Sequence, residues 1–378
     1  MLNDIEILLW LREKNPARLE VLWQKADLCR QQNVGDEVHI RGLIEISNYC
    51  RRRCHYCGLN AERRDLMRYR MTRDEILACC LQAKDFGYGT VVLQAGEDEG
   101  LTAAEVTALI RAIKEIPASG SAVEGHAASS LAVTLSLGER TEEELWAWRQ
   151  AGADRYFLRF ETSDMELYRR LHPPHPAVSG DRLGFLRKLR EMGYEVGSGI
   201  MVGIPGQTWQ SIVGDLKLFA TLDLDMIGIG PYHSHPATSL GQYPMSAGAE
   251  QVPNDGETTC KVIALARLLC PQANIPSTTA LAVANRTQGY EMGLRCGANV
   301  IMANLTPWRY RCLYEIYPGK AGKLQNPQEI HMAVTQLIQR LGRIIGRGHG
   351  GRLSLQQDAV KKFRLLTADE ENRASGEQ

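Results

Sequence analysis

The chain of 378 residues has no surplus of either charge, with lysine plus arginine and aspartate plus glutamate at 44 each. That balance gives no global field to gather nucleic acid or an anionic membrane surface, so the expected partner is a small molecule. No apolar run approaches the roughly 20 residues that a bilayer-spanning helix needs. The opening residues, M-L-N-D-I-E, carry acids where a secretory leader needs basic residues, and the expected location is the cytoplasm. Neither a G-x-x-x-x-G-K-[ST] phosphate loop nor a dinucleotide fingerprint is present. There are ten cysteines, but in a reducing compartment they do not make a disulfide framework.

What the chain does have is alternation of two periods. Ile5, Leu8, Leu9, Leu19, Leu22 and Trp23 fall at helical spacing, with Asn15-Pro16 as a break between two helices. Strands are expected at 38–47, 90–94, 132–137, 155–160, 195–201, 226–230, 274–279 and 299–303, separated by helical sequence. Thr72 and Thr102 open capped helices, and Asn326-Pro327 opens a last one running to about residue 344. Eight strands alternating with helices predict an α/β fold, a (β/α)8 TIM-type barrel, with a doubly wound open sheet as the competing architecture. The expected division is a helical lead-in at 1–37, the barrel at 38–350 and a tail at 351–378. A stretch at 117–130, rich in small residues, reads as an insertion without assigned chemistry.

Function in a barrel lies at the C-terminal ends of the strands. There, directly after the first strand, stands S-N-Y-C-R-R-R-C-H-Y-C-G-L, with Cys50, Cys54 and Cys57 within eight residues. One reading is a helix face carrying three small core side chains, since i, i+4, i+7 share a face. The preceding strand, the run Arg51-Arg52-Arg53 and Gly58 speak against it. Structural zinc is a second reading, but no second C-x-x-C or H-x-x-x-H pair completes a tetrahedral site. Three soft thiolates suit an iron-sulfur cluster, and a four-iron cluster held by three ligands keeps one iron open.

The motif C-x-x-x-C-x-x-C, with Tyr56 just before the last cysteine, resembles that of the radical S-adenosylmethionine superfamily. The resemblance implies one 4Fe-4S cluster on Cys50, Cys54 and Cys57, with S-adenosylmethionine on the open iron and its reductive cleavage to a 5'-deoxyadenosyl radical. Gly96 and Glu97, after the second strand, resemble the superfamily's Gly-Gly-Glu element. Arg159 and Glu161 form an opposite-charge pair able to bind a zwitterion, or else a structural ion pair at the barrel rim. The glycine-rich fifth strand, G-S-G-I-M-V-G-I-P-G at 197–206, would let an adenine or ribose approach the backbone.

From about residue 34 to 320 the chain is similar to the maturase family of the [FeFe]-hydrogenase within that superfamily. The likeness rests on stretches such as R-Y-R-M-T (68–72), V-T-L-S-L-G-E (133–139), M-V-G-I-P-G-Q-T (201–208), R-C-G-A-N-V-I-M (295–302) and Y-P-G-K (317–320). It implies that Arg159, Glu161, Arg182 and Met201 line the cofactor site and that Tyr314 and Tyr317 close over it. It also implies a polar cavity bordered by Arg41, Gln94, Thr134, Thr278 and Thr279 for an anionic or carboxylate-bearing guest, an iron-complex substrate handed on by companion maturases. Arg41 is either a guest ligand that holds a carboxylate near the cofactor, or neutralised by Glu45 on the same strand face. An electron donor is a further implied partner. Some relatives carry extra cysteines after Y-P-G-K, and their absence here predicts a single cluster. Enzymes like methylornithine synthase or biotin synthase are the rival readings, with a non-catalytic iron-complex scaffold as a third.

Overall fold

The structure, a computed structural model, describes residues 2–116, 130–176, 180–242, 248, 250–285, 288–322 and 325–352. The 117–130 stretch, apart from Ser130, and the tail beyond 352 lie outside them. Helices α1 (Asp4–Arg12) and α2 (Pro16–Val34) form the lead-in, and the side chain of Asn15 accepts from Ala17 N and Arg18 N to start the second. Proline at the first turn sacrifices only a donor that would lack a partner anyway.

Eight parallel strands follow: β1 (Glu37–Ser47), β2 (Thr90–Ala95), β3 (Ala132–Ser136), β4 (Arg155–Phe157), β5 (Glu195–Val202), β6 (Met226–Pro231), β7 (Pro276–Ser277) and β8 (Val300–Asn304). Each pairs with the next, and β1 pairs with both β2 and β8, so the sheet curls into a barrel with helices outside. The thinnest seam is β6 to β7, joined by Ile229 with Ser277 and an isolated bridge from Met226 to Asn274. Outward residues such as Ile40, Ile44, Val91, Leu93, Val133 and Leu135 are buried under the helices. Capping boxes at Thr72 with Glu75, Thr102 with Glu105 and Asn326 with Glu329 fix where those helices begin. Each cap contributes on the order of 1 kcal/mol.

Several expected boundaries move. β4 ends at Phe157 rather than 160, and β7 keeps only two of six expected residues because Thr278 caps the helix Thr279–Ala284. The last long helix ends at Arg340 because Gly342 turns the chain at φ 67. Ile344 and Ile345 then form β9 beside the start of β1.

The segment after β9 seals the lower end of the barrel. The His349 carbonyl accepts from Thr90 Oγ1 (2.7 Å) and Arg155 (3.0 Å). The Gly350 carbonyl accepts from Arg41 (3.0 Å) and Asn274 (3.2 Å). Among the described residues these bonds close the end of the barrel opposite the cysteine loop.

Candidate active site

The cysteine segment leaves β1 as a loop, not a helix: Cys54 O accepts from Cys57 N (3.2 Å) and Cys57 O from Asn60 N (3.1 Å). This removes the core-helix reading of the three cysteines. Arg68 ties the loop, donating to the carbonyls of Asn48 (2.5 Å), Leu59 (2.8 Å), Asn60 (2.7 Å) and Arg63 (3.2 Å). Outside contacts add His55 N to Leu171 O and Gly58 N to Ile316 O, both 3.0 Å. Arg68 sits in the R-Y-R-M-T stretch, but only the fold reveals it as the tie.

Inside the barrel lies a cavity of about 320 Å³, and every one of the seventeen residues named from the sequence borders it. Cys50, Cys54 and Cys57 form the upper wall with Tyr56, Gly96 and Glu97. Gly96 is required there, because a Cβ would stand 2.3 Å from the Tyr49 carbonyl oxygen. Across the mouth, Arg159 Nε lies 3.0 Å from Glu161 Oε2 without hydrogen-bond alignment, so both buried atoms keep their bonding capacity. Glu161 holds φ 68, a conformation L residues avoid, while its N–H donates to Gly199 O on β5 (3.0 Å). Tyr56 donates to Glu161 Oε1 (3.2 Å), and its hydroxyl also meets His172 Nε2 (3.2 Å). Burial, then the charge of Arg182, pushes the His172 imidazole well below its ordinary value, so it is neutral at pH 7.

Arg182 donates to Arg159 O (2.5 Å) and pairs with Glu139 (3.4 Å), which also takes Arg52 (3.2 Å). Arg52 lies 3.7 Å from Glu97. A chain of charges thus links the cysteine loop to the far side of the mouth. No site role was read for Arg52, Glu139 or His172 from the sequence, although Arg52 lies inside the cysteine motif and Glu139 ends the V-T-L-S-L-G-E stretch.

The lower cavity corrects three expectations. Arg41 is not neutralised by Glu45: it donates to Gly350 O and to Met226 Sδ (2.9 Å), and its Nε has no hydrogen-bond partner. Burial, and then Arg155, lowers its pKa to about 9. It stands on the cavity floor, four residues along β1 below Glu45, roughly 13 Å at strand spacing, at the end of the cavity remote from the cysteine loop. Thr278 and Thr279 do not lie in a strand, yet both border the cavity because the chain turns at the helix cap. Within the glycine-rich run, the space beside Gly197 holds the Phe157 ring, 2.5 Å from the Cβ it would carry, so that position receives a side chain rather than an adenine. Thr134 Oγ1 has no hydrogen-bond partner and borders the cavity.

The cysteines suit a multi-iron group. Among the described residues no three His, Cys, Asp or Glu side chains converge on a point, as a single ion would need. Cys50, Cys54 and Cys57 all border the cavity, and burial foremost pushes all three thiols up, Cys54 to about 12. A thiol so held keeps its proton until a soft metal replaces it.

Residues 44–219 match the family model described as the Radical SAM superfamily. The [FeFe] hydrogenase maturase subunit HydE of Thermotoga maritima is 44% identical over 88% of this chain and 89% of its own. The chain belongs to the radical SAM superfamily. Radical SAM proteins use a 4Fe-4S cluster and S-adenosylmethionine, and this one is a HydE-like enzyme with those cofactors. It is also 28% identical to 3-methylornithine synthase of Methanosarcina barkeri, over 81% of this chain and 79% of that one. The crystal structure of methylornithine synthase superposes with a TM-score of 0.75 at 24% identity, covering 92% of this chain and 95% of that chain, which supports the radical SAM barrel as a fold. No helix of the described residues is long and apolar enough to cross a membrane.

Proposed function

We propose that this radical SAM enzyme acts in building the diiron subcluster of an [FeFe]-hydrogenase, on an iron-bound cysteine derivative carrying CO and cyanide. The observation that carries the reading is Arg41, a buried guanidinium on the cavity floor that meets no carboxylate, above which Thr134 leaves a hydroxyl unspent. Among the described residues no carboxylate bonds Arg41 directly, Glu195 acting on it only at a distance, and an anionic guest would supply the missing contact. The 44% identity to an [FeFe] hydrogenase maturase subunit supports the place in hydrogenase maturation.

In this reading Cys50, Cys54 and Cys57 hold the cluster. Arg159 and Glu161 take the carboxylate and amino ends of S-adenosylmethionine, Gly96 and Glu97 flank it, and Tyr56, Arg182, Met201, Tyr314 and Tyr317 enclose it. When bound and reduced, the cluster supplies the electron that opens the sulfonium to a 5'-deoxyadenosyl radical. Gln94, Thr134, Thr278 and Thr279 orient the guest from the walls, and the sealed floor keeps water out. The barrel at 38–350 does this work, with 1–37 as its helical lead-in and 351–378 as a tail. We infer a cytoplasmic setting, an external electron donor and companion maturases that deliver the guest and receive the product.

The experiment is anaerobic turnover of the reconstituted, reduced protein with that iron complex. Its consumption in step with 5'-deoxyadenosine formation supports the reading. An untouched complex beside continued cofactor cleavage refutes it.

A further inference from the structure

Lys320 is a second cation in the cavity wall. Its side chain is 5% exposed, its ammonium is bonded to Glu45 Oε1, and it lies 4.8 Å from the centre of the Tyr314 ring. Glu45 is fully buried and keeps Oε2 without a hydrogen bond. Of the two, only Lys320 borders the cavity. Glu45 therefore stands behind the wall and takes one of three ammonium protons, leaving donors for whatever enters.

The barrel register sets the depth of this group. Glu45 lies opposite Gln94, the residue before Ala95 and Gly96. Tyr314, under Lys320, borders the cavity together with Gln94, Cys50 and Cys57 and lies within electrostatic range of both cysteines. Lys320 thus belongs to the layer next to the cysteine loop, whereas Arg41 lies roughly 13 Å lower along β1. A guest of amino-acid size cannot present one anionic group to both.

We propose that Lys320 binds the anionic group of the guest beside the cofactor, and that Glu45 positions the ammonium from behind the cavity wall. Arg41 then meets the deeper end of the guest. This assignment rests on the guest named above, since it presumes a small anionic molecule in the cavity.

The test compares wild type, Lys320→Met, Lys320→Gln and Lys320→Arg at equal cluster content, with the iron-bound cysteine complex as the probe. Lys320→Met and Lys320→Gln are expected to raise the KM for the complex about tenfold or more, and Lys320→Arg to stay within about threefold of wild type. The neutral pair keeps the test open if one variant loads its cluster poorly. If wild type consumes the complex and either neutral variant does so with unchanged KM, the Lys320 assignment falls while the guest reading stands. If wild type leaves the complex untouched, the guest reading falls, and with it the anion assigned to Lys320.

Discussion

Gly96 meets the cysteine loop so closely that a Cβ on it would lie 2.3 Å from the Tyr49 carbonyl oxygen and 2.7 Å from the Cβ of Cys50. Neither neighbour is the free end of a flexible chain, so Gly96→Ala must displace the loop. We expect the variant to fold and to bind less iron and sulfide on reconstitution, by about half or more, as read by absorbance and iron analysis.

Arg68 makes four hydrogen bonds to loop carbonyls from one guanidinium. Lysine cannot reproduce that fork. Arg68→Met is expected to cost about 2–4 kcal/mol, and Arg68→Lys to recover only part of it, in denaturant unfolding followed by circular dichroism. Cluster loading should fall in the same order.

How much of this was legible in the sequence follows from how local each feature is. The strands at β1, β2, β5 and β8 declared themselves by β-branched runs, and the helix starts by their caps, because both signals sit within a few residues. β7 was overestimated because Thr278 has two uses, and its capping role overrides its strand propensity. The cysteine motif is likewise local and could be found. Lys320 and Glu45 are 275 residues apart and meet only when the barrel closes. Arg41 was found as an inward residue, but its depth depends on how the strands are staggered, which no period reveals. The alternative that paired Glu45 with Arg41 fails for the same reason.

Glu161 combines function with strain, since its φ of 68 suits glycine far better. Glu161→Gly should keep or raise the melting temperature, by up to about 1 kcal/mol of relieved strain, while weakening S-adenosylmethionine binding at least about tenfold. Calorimetry and titration of the reconstituted protein separate the two effects.

Arg41 is buried and, among the described residues, has no carboxylate in direct contact; burial and Arg155 lower its pKa to about 9, against the opposing pull of Glu195. Arg41→Met should stabilise the guest-free protein by about 1–3 kcal/mol and lower its affinity for the anionic guest. A variant less stable than wild type would show that its bonds to the floor outweigh its desolvation.

Asp215 is fully buried, accepts from Ser163 N (2.5 Å) and leaves Oδ2 without a hydrogen bond. Burial raises its pKa to about 7 from an ordinary 3.8. The folded state therefore holds this proton more tightly than the unfolded one. Its contribution to stability is complete below the ordinary value and is lost as pH rises through about 7. Asp215→Asn should thus raise the melting temperature more at about pH 8 than at about pH 5.5.

The central claim is that Cys50, Cys54 and Cys57 hold a cluster whose electron opens S-adenosylmethionine within this barrel. It is tested most directly by assaying 5'-deoxyadenosine formation anaerobically, using reconstituted, dithionite-reduced wild type and Cys54→Ala. The account predicts product from wild type and a loss of at least about a thousandfold in the variant. Full turnover by Cys54→Ala, or none by wild type with an intact reduced cluster, would contradict it.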